Sequence, residues 1–449
     1  MALQYAVAVV GGATAGAETA RMLAERGAVV VVIEQNLRPY GKIEDGLPRW
    51  HAKLRLKEYE SVNQKLDHPN IHFVPLTKVG RDIDFRELAT EWGFTAVILA
   101  LGAWRDRPLP IDGVDDYVGR GLIYQNAFIH WFNHCEEADY RGPHYDVPDG
   151  AAVIGGGLAS IDVIKVMQIE TTRRALERRG IRVDALHIEH VGIDAALSEH
   201  GLQWADLGMR GATLFYRRRV EDMPVTDMPE GGDAARRAKV EATRRRILEK
   251  AMAKYCFHAR PESAPIGFLT TDDRLTGIRF QRTRVVDGRV EPIADAIDAV
   301  STPLVVSSIG SIPEPMPGIA ERGELYAFSD RALGRIAGYD SVFAVGNVVT
   351  GKGNILASRK HSIEVTTQVI EQFIGVGPAG HDGEEVLLEA ITSPVHGLVE
   401  NVISWVGGRP RLEDAQVEAI LARVRARQRA VGYEGAFRRW VTVHAPKPS

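Results

Sequence analysis

Apolar residues run without interruption from Tyr5 to Val10 and again from Val29 to Ile33, with a helix-spaced stretch starting near Ala15 between them. Runs of this kind predict strands buried on both faces, and strand, helix, strand predicts a βαβ crossover of a parallel sheet. Ile71 to Val74 and Ala96 to Leu101 predict further strands. A second unit begins at Ala151, with a helix from about Ile161 to Arg179, an extra segment at about 180–211, and a strand from Thr213 to Tyr216. Leu202 to Asp206 and Glu241 to Met252 have helical spacing. Alternating patterns at Gly277 to Arg284 and Asp287 to Ile293, joined through Asp287-Gly288, predict a β-hairpin. Strands at Leu304 to Ser307 and Val342 to Val345 follow, and from about Gly380 the chain becomes charged and helix-rich.

Each βαβ unit carries a glycine-rich turn between its first strand and its helix. The first is Gly11-Gly12-Ala13-Thr14-Ala15-Gly16 and the second Gly155-Gly156-Gly157-Leu158-Ala159-Ser160. In such turns the first glycine permits the bend and the middle one lets the backbone approach a pyrophosphate. The third lets helix pack on strand, while the helix N-terminus offers N–H donors. Ala13 stands where the middle glycine is usual, and Ser160 is a small residue at the third position. After the first turn, Glu34 sits at the end of the second strand, where a carboxylate can hold a ribose hydroxyl. After the second, Arg217, Arg218 and Arg219 follow the strand and could hold a 2'-phosphate. The nearby Glu221 and Asp222 oppose a 2'-phosphate, so whether this second nucleotide carries one stays open.

Composition narrows the chemistry. With 55 basic and 59 acidic residues the net charge is −4, which gives no overall attraction to nucleic acid or to an anionic membrane. The two cysteines, Cys135 and Cys256, form no CxxC pair and cannot hold an iron-sulfur cluster. No leader-like segment precedes Tyr5 and no apolar run is long enough to span a bilayer, so a cytoplasmic location is expected. His187, Glu189 and His190 lie in the extra segment without a fourth ligand in register, and are read as a solvated loop with no metal.

Several stretches resemble the two-dinucleotide-binding flavoprotein reductases, and within them the adrenodoxin reductase and glutamate synthase small-subunit group. Pro39-Tyr40-Gly41-Lys42-Ile43 and Gly46-Leu47-Pro48 are similar to the segment that passes beside the flavin, with Lys42 replacing a usual glycine. Phe128-Ile129-His130-Trp131-Phe132-Asn133 resembles an aromatic run ahead of the pyridine-nucleotide domain. Tyr216-Arg217-Arg218 with Glu221-Asp222-Met223-Pro224 resembles the specificity strand of the second nucleotide. Val342 to Asn347, followed by Thr350-Gly351-Lys352-Gly353-Asn354-Ile355, resembles the second flavin motif, with Asn347 where aspartate is common.

The resemblance implies an α/β fold of two Rossmann-like dinucleotide-binding domains, the NAD(P) domain inserted in the FAD domain. The FAD domain would comprise 1–108 and 311–379, the NAD(P) domain 109–310 with its insertion, and a helical extension 380–449. It implies FAD at Gly11, Gly12, Ala13, Ala15, Gly16, Glu34, Gly41, Gly46, Gly102, Gly346, Asn347, Asn354 and Ile355. NAD(P)H falls at Gly155, Gly156, Gly157, Ser160 and Arg217 to Arg219. The activity implied is hydride transfer between nicotinamide and flavin, coupled to an iron-sulfur protein or ferredoxin-like subunit.

The inserted segment, the Gly353-Asn354-Ile355 variant and the extension together also resemble flavin subunits of 2-oxoacid:acceptor oxidoreductase complexes of the phenylglyoxylate dehydrogenase type. Such a subunit would reduce NAD(P)+ with electrons from an iron-sulfur subunit. His51, similarly spaced after Gly46 to a histidine of adrenodoxin reductases, is the one candidate for a proton or orienting role, against a purely structural one. The alternatives are a stand-alone ferredoxin-NADP reductase, a flavin monooxygenase, and a non-catalytic flavin-containing assembly subunit. The monooxygenase signature Phe-x-Gly-x-x-x-His is missing from Ile123 to Asp149. In the tail, Val417, Ile420, Leu421 and Val424 form an apolar stripe, expected either to dock a partner or to pack on the chain's own domain.

Overall fold

The computed structural model describes residues 5–138, 140–226, 234–350, 370–371, 374–376 and 384–446. Two parallel sheets organise it. The larger has seven strands in the spatial order Phe328–Asp330, Arg335–Ile336, Val342–Ala344, Ala96–Leu99, Ala6–Val10, Val29–Ile33, Ile71–Val74. Its five inner and distal strands pair in parallel, with Val7 opposite Val30 and Ala96, while the first two form an antiparallel edge. Ala6, Val7, Ala8 and Val9 have no exposed surface, as an unbroken apolar run requires when both faces are covered.

The second sheet is wholly parallel, in the order Leu122–Tyr124, Val305–Ser307, Ala152–Ile154, Thr213–Phe215, His258–Arg260. Between its last two strands in sequence the chain forms an antiparallel meander of Ser263–Thr271, Arg274–Val286 and Arg289–Ser301. The hairpin predicted around Asp287-Gly288 is present with longer arms, and its partner strand Ser263–Thr271 was not foreseen. Phe215 and Phe280 stack at 4.1 Å and fix the meander onto the sheet. The larger sheet takes strands from both sides of this insertion in sequence, so the two sheets are interleaved along the chain.

The segment 180–211 departs from the solvated loop expected of it. It forms two short helices, Ala185–Val191 and Ile193–Ser198, that bury Ile188, Ile193, Ala196 and Leu197. The helix expected at Leu202 to Asp206 is a single 3-10 turn, Trp204–Leu207.

The C-terminal helices belong to the larger sheet's layer. Glu384–Gly407 lies on the first helix, Thr14–Glu25, and buries Val395, Val399, Val402 and Val406 in the core under the sheet. Tyr5 Oη donates to the carbonyls of Gly407 and Arg409, both at 3.2 Å. Asp414–Ala430 seats Ile420 and Val424 in the core on the other face, and Gln428 Nε2 donates to Phe73 O at the sheet edge. The stripe at 417–424 is therefore spent on the chain's own domain, and the docking role for it is withdrawn.

Glycine at position 16 is dictated by packing. A Cβ there would lie 1.8 Å from the carbonyl oxygen of Gly11. Gly16→Ala should therefore cost about 3 kcal/mol of stability, read as a lowered thermal midpoint together with lost flavin. An unchanged midpoint would contradict this packing.

Candidate functional site

The first glycine turn ends the strand Ala6–Val10 and opens the helix Thr14–Glu25. A cavity of about 170 Å³ lies against it, lined by Gly11, Ala13, Glu34, Gly41, Gly102 and Trp104 among others. Five of the residues expected to hold FAD thus share one cavity. Gly12 meets Glu34 through its N–H, which donates to Oε2 at 2.8 Å, while Asn36 N–H donates to Oε1 at 2.9 Å. Gly346 is brought to the same place, since a Cβ on it would lie 2.9 Å from the methyl of Ala15. Asn347 is exposed at the start of the helical turn Asn347–Thr350. Gly46 ends the turn Lys42–Asp45 and is not on the cavity. Asn354 and Ile355 lie outside the described residues.

Glu34 is 4% exposed, and burial pushes its carboxyl up to about 7 despite the N–H donors of Gly12 and Asn36. Its folded value lies above the ordinary 4.5, so its contribution to stability is full below pH 4.5 and is lost as pH rises through about 7. The flavin-free chain should therefore lose about 3 kcal/mol from this group across that window. Chemical denaturation at pH 5 and pH 8 should show the loss in the wild type and a smaller one in Glu34→Gln; equal slopes would contradict it.

Lys42, at the position where glycine is usual, is also largely buried. Its Nζ donates to Asn126 Oδ1 at 3.1 Å and to Ser311 Oγ at 3.0 Å, joining the turn Lys42–Asp45 to the helix Gln125–His134. Burial pulls its ammonium down to about 8, against the attraction of Asp106.

The second turn has the same construction. A Cβ on Gly155 would lie 2.2 Å from Ser308 O, and one on Gly156 would lie 2.3 Å from the ring of Tyr216. At Gly157 nothing stands within 4 Å, which leaves the open approach that a pyrophosphate needs. Ser160, fully buried, donates to Ser308 O at 2.9 Å and so closes helix onto strand as a third glycine would.

The three arginines differ. Arg219 forms a forked pair with Asp222 at 3.0 Å on both arms, and Arg218 donates to Gly288 O at 2.9 Å. Arg217 is exposed, with no side-chain partner among the described residues.

His51 lies against the helix that the second turn opens. It precedes the helix Ala52–Leu66, and its Nε2 accepts from Trp50 Nε1 at 3.1 Å. The same nitrogen is 3.8 Å from Asp162 Oδ1, on the helix Leu158–Glu177 that the second turn opens. Asp162 Oδ1 is buried and accepts no hydrogen bond. Lys165, with no exposed surface, stands 3.8 Å from Asp162 and 3.0 Å from Glu189 Oε1, and donates to Ile374 O at 2.8 Å. Burial opposes ionisation of Glu189, but the Lys165 ammonium holds its carboxyl below the ordinary value. Tyr255 Oη donates to the same carboxylate at 3.0 Å.

Asp162, Lys165, Glu189 and Tyr255 were not foreseen as a group. The one available sign was a lysine flanked by Ile164 and Val166 inside a buried helix. Glu189 is thus an ion-pair partner, while His187 pairs with Glu199 at 2.8 Å, so the histidines and glutamate of this segment do not converge on a metal.

The site is that of a two-domain flavin and pyridine-nucleotide oxidoreductase. Residues 5–169 match the family model described as pyridine nucleotide-disulphide oxidoreductase. Over 430 residues the chain is 25% identical to the mitochondrial NADPH:adrenodoxin oxidoreductase of Arabidopsis thaliana, covering 86% of each. It is 38% identical over 161 residues to the glutamate synthase [NADPH] small chain of Bacillus subtilis, covering 35% of this chain and 31% of that one. Among solved structures it is similar in fold to Mycobacterium tuberculosis FprA in complex with NADPH, with a TM-score of 0.64, 20% identity, and 95% and 90% of the two chains covered. The chain is an FAD- and NAD(P)H-dependent oxidoreductase. Its two cysteines are free and form no redox pair, whatever the family's general name implies. Among the described residues no helix is long and apolar enough to cross a membrane.

Proposed function

We propose that this chain passes electrons between a pyridine nucleotide and a one-electron iron-sulfur protein. The observation that carries the reading is the presence of two complete phosphate-binding turns on two separate parallel sheets, in a chain whose two cysteines cannot hold a cluster of their own. FAD, when bound, supplies a redox centre able to exchange electrons in pairs with a nicotinamide and singly with a cluster. The residues present fit it: the cavity beside Gly11, the buried acceptor Glu34 and the close contact of Gly346 with Ala15 form one cradle.

The rest is the work of this chain's own side chains. Glu34 would accept from the ribose, the open space at Gly157 would admit the second pyrophosphate, and Lys42 ties its turn to the helix Gln125–His134 through Asn126. His51, which accepts from Trp50 and lies 3.8 Å from Asp162, is a positioning residue at the junction. His51→Gln should lower kcat more than it raises KM, with flavin content unchanged; a change confined to KM would make the histidine a binding element only.

The arginines supply a graded test of nucleotide choice. Arg217→Ala should raise KM for NADPH by about tenfold with little change for NADH, because this guanidinium is available to a 2'-phosphate. Arg219→Ala should do less, since that side chain is held by Asp222. Equal small effects of Arg217→Ala on both nucleotides would make the cluster a solvated face.

A role as the flavin subunit of a 2-oxoacid oxidoreductase assembly is the finer form of this reading, supported by the inserted segment and the extension. It is tested by affinity purification of the full chain from its source under anaerobic conditions. Recovery of an iron-sulfur protein that the purified chain reduces with NAD(P)H supports it. Full activity on a small organic substrate without any such protein would overturn it.

A further inference from the structure

We propose that Asp45, His130 and His134 form a divalent metal site, best matched to zinc, on the outer side of the flavin-loop turn. His130 and His134 are four residues apart on the helix Gln125–His134 and so project from one face. Asp45 ends the turn Lys42–Asp45, which Asn133 Nδ2 clamps by donating to Glu44 O at 3.0 Å and to Leu47 O at 2.8 Å. His134 Nε2 and His130 Nε2 lie 3.1 and 4.0 Å from the same oxygen, Asp45 Oδ1. One potential ligand atom from each residue lies within 4.8 Å of the other two, the only such group of three among the described residues. Ligand atoms about 2.0–2.2 Å from a tetrahedral zinc ion lie about 3.4 Å apart, between the 3.1 and 4.0 Å observed to Asp45 Oδ1, so side-chain rotation suffices to close the set.

The arrangement of protons points to a cation. His134 Nδ1 lies 2.8 Å from Glu137 Oε1, so the ring N–H on that side is committed to a carboxylate. In the neutral ring its other nitrogen then turns a lone pair towards Asp45 Oδ1, and two acceptors at 3.1 Å need a positive charge between them. Either a proton or a metal ion can supply it. A carboxylate that holds the far nitrogen of a ligating imidazole is the usual outer support of a metal-bound histidine.

The second histidine separates the two options. A proton joins only two atoms, whereas His130 Nε2 lies 4.0 Å from the oxygen that His134 already faces at 3.1 Å, an arrangement of three donors that one metal ion can collect. A cavity of about 350 Å³ adjoins the three groups, with room for water as a fourth ligand. Its charged lining consists of Arg38, Glu44, Asp45, Glu137 and Arg141, with Glu44 bonded to Arg38. Occupied, the site would fasten the flavin-side turn to the helix that leads into the second domain.

The test uses the full-length flavoprotein stripped with a chelator and titrated with Zn2+ by calorimetry, with Co2+ absorption reporting the ligand set. One equivalent of Zn2+ should bind. His130→Ala should weaken it at least about tenfold, and Glu137→Gln by a similar factor through the supported histidine. His130 is half exposed, so its variant keeps the fold, to be checked by unchanged flavin content. His187→Ala, at a surface pair elsewhere, should bind Zn2+ as the wild type does. No stoichiometric binding, or binding that survives His130→Ala unchanged, would overturn the site and leave a hydrogen-bonded imidazolium in its place.

Discussion

Removal of residues 384–449 should yield a chain that fails to accumulate in soluble form and retains no flavin. The three C-terminal helices bury Val395, Val399, Val402, Val406, Ile420, Val424, Phe437 and Val441 against the strands and helices that build the first nucleotide site. At about 1.5–3 kcal/mol for each buried side chain, this packing contributes about 12–24 kcal/mol, as much as or more than the 5–15 kcal/mol that holds an ordinary domain folded. The polar contacts agree: Trp440 Nε1 donates to Leu37 O, and Arg427 Nε to Thr77 Oγ1, both at 2.8 Å. Expression of the truncated chain with measurement of soluble yield and flavin content checks this. A soluble yellow product that has lost only its protein partner would restore the tail to a docking role.

Replacing Glu34 by arginine should abolish FAD binding. A guanidinium would stand in a buried pocket beside the N–H groups of Gly12 and Asn36, with no carboxylate for the ribose hydroxyls. An uncompensated buried charge of this kind costs about 3–5 kcal/mol. Because such a change also strains the fold, Glu34→Gln provides the second reading: it keeps the shape and an acceptor oxygen, and should weaken FAD by about tenfold through the lost charge-assisted bond. Wild-type flavin affinity in Glu34→Gln would contradict the assignment of this residue.

How much of this was legible in the sequence differs with the kind of interaction. The strands Ala6–Val10, Val29–Ile33 and Ala152–Ile154 are unbroken apolar runs ahead of glycine turns, and there local pattern and tertiary role coincide. Glu34 was legible because the position at the end of a second strand is fixed by the βαβ geometry itself. The tail was half legible: period 3.6 gave the stripe at Ile420 and Val424, but an amphipathic face does not say what covers it. The insertion was misread as solvated because its helices are short and broken by Gly192 and Gly201, so the burial of Ile188, Ile193 and Leu197 depends on neighbours far along the chain.

The junction was invisible for the same reason. His51, Asp162, Lys165 and Glu189 come from three separate segments, and nothing local records that Lys165 reaches Glu189. Asp45 and the His130–His134 pair meet only because Asn133 clamps the turn Lys42–Asp45 to the helix, a contact that neither stretch announces. The arginines show a further limit: three adjacent cations look equivalent in sequence, yet Arg219 is occupied by Asp222 while Arg217 is not.

Hydride exchange between bound FAD and a pyridine nucleotide is checked by anaerobic titration of the purified flavoprotein with NADPH and with NADH, following the visible absorption of the flavin. At least one nucleotide should bleach it, more slowly in Arg217→Ala where NADPH is that nucleotide, and a one-electron iron-sulfur acceptor should restore the absorption. A chain that holds FAD firmly but is bleached by neither nucleotide would contradict this exchange.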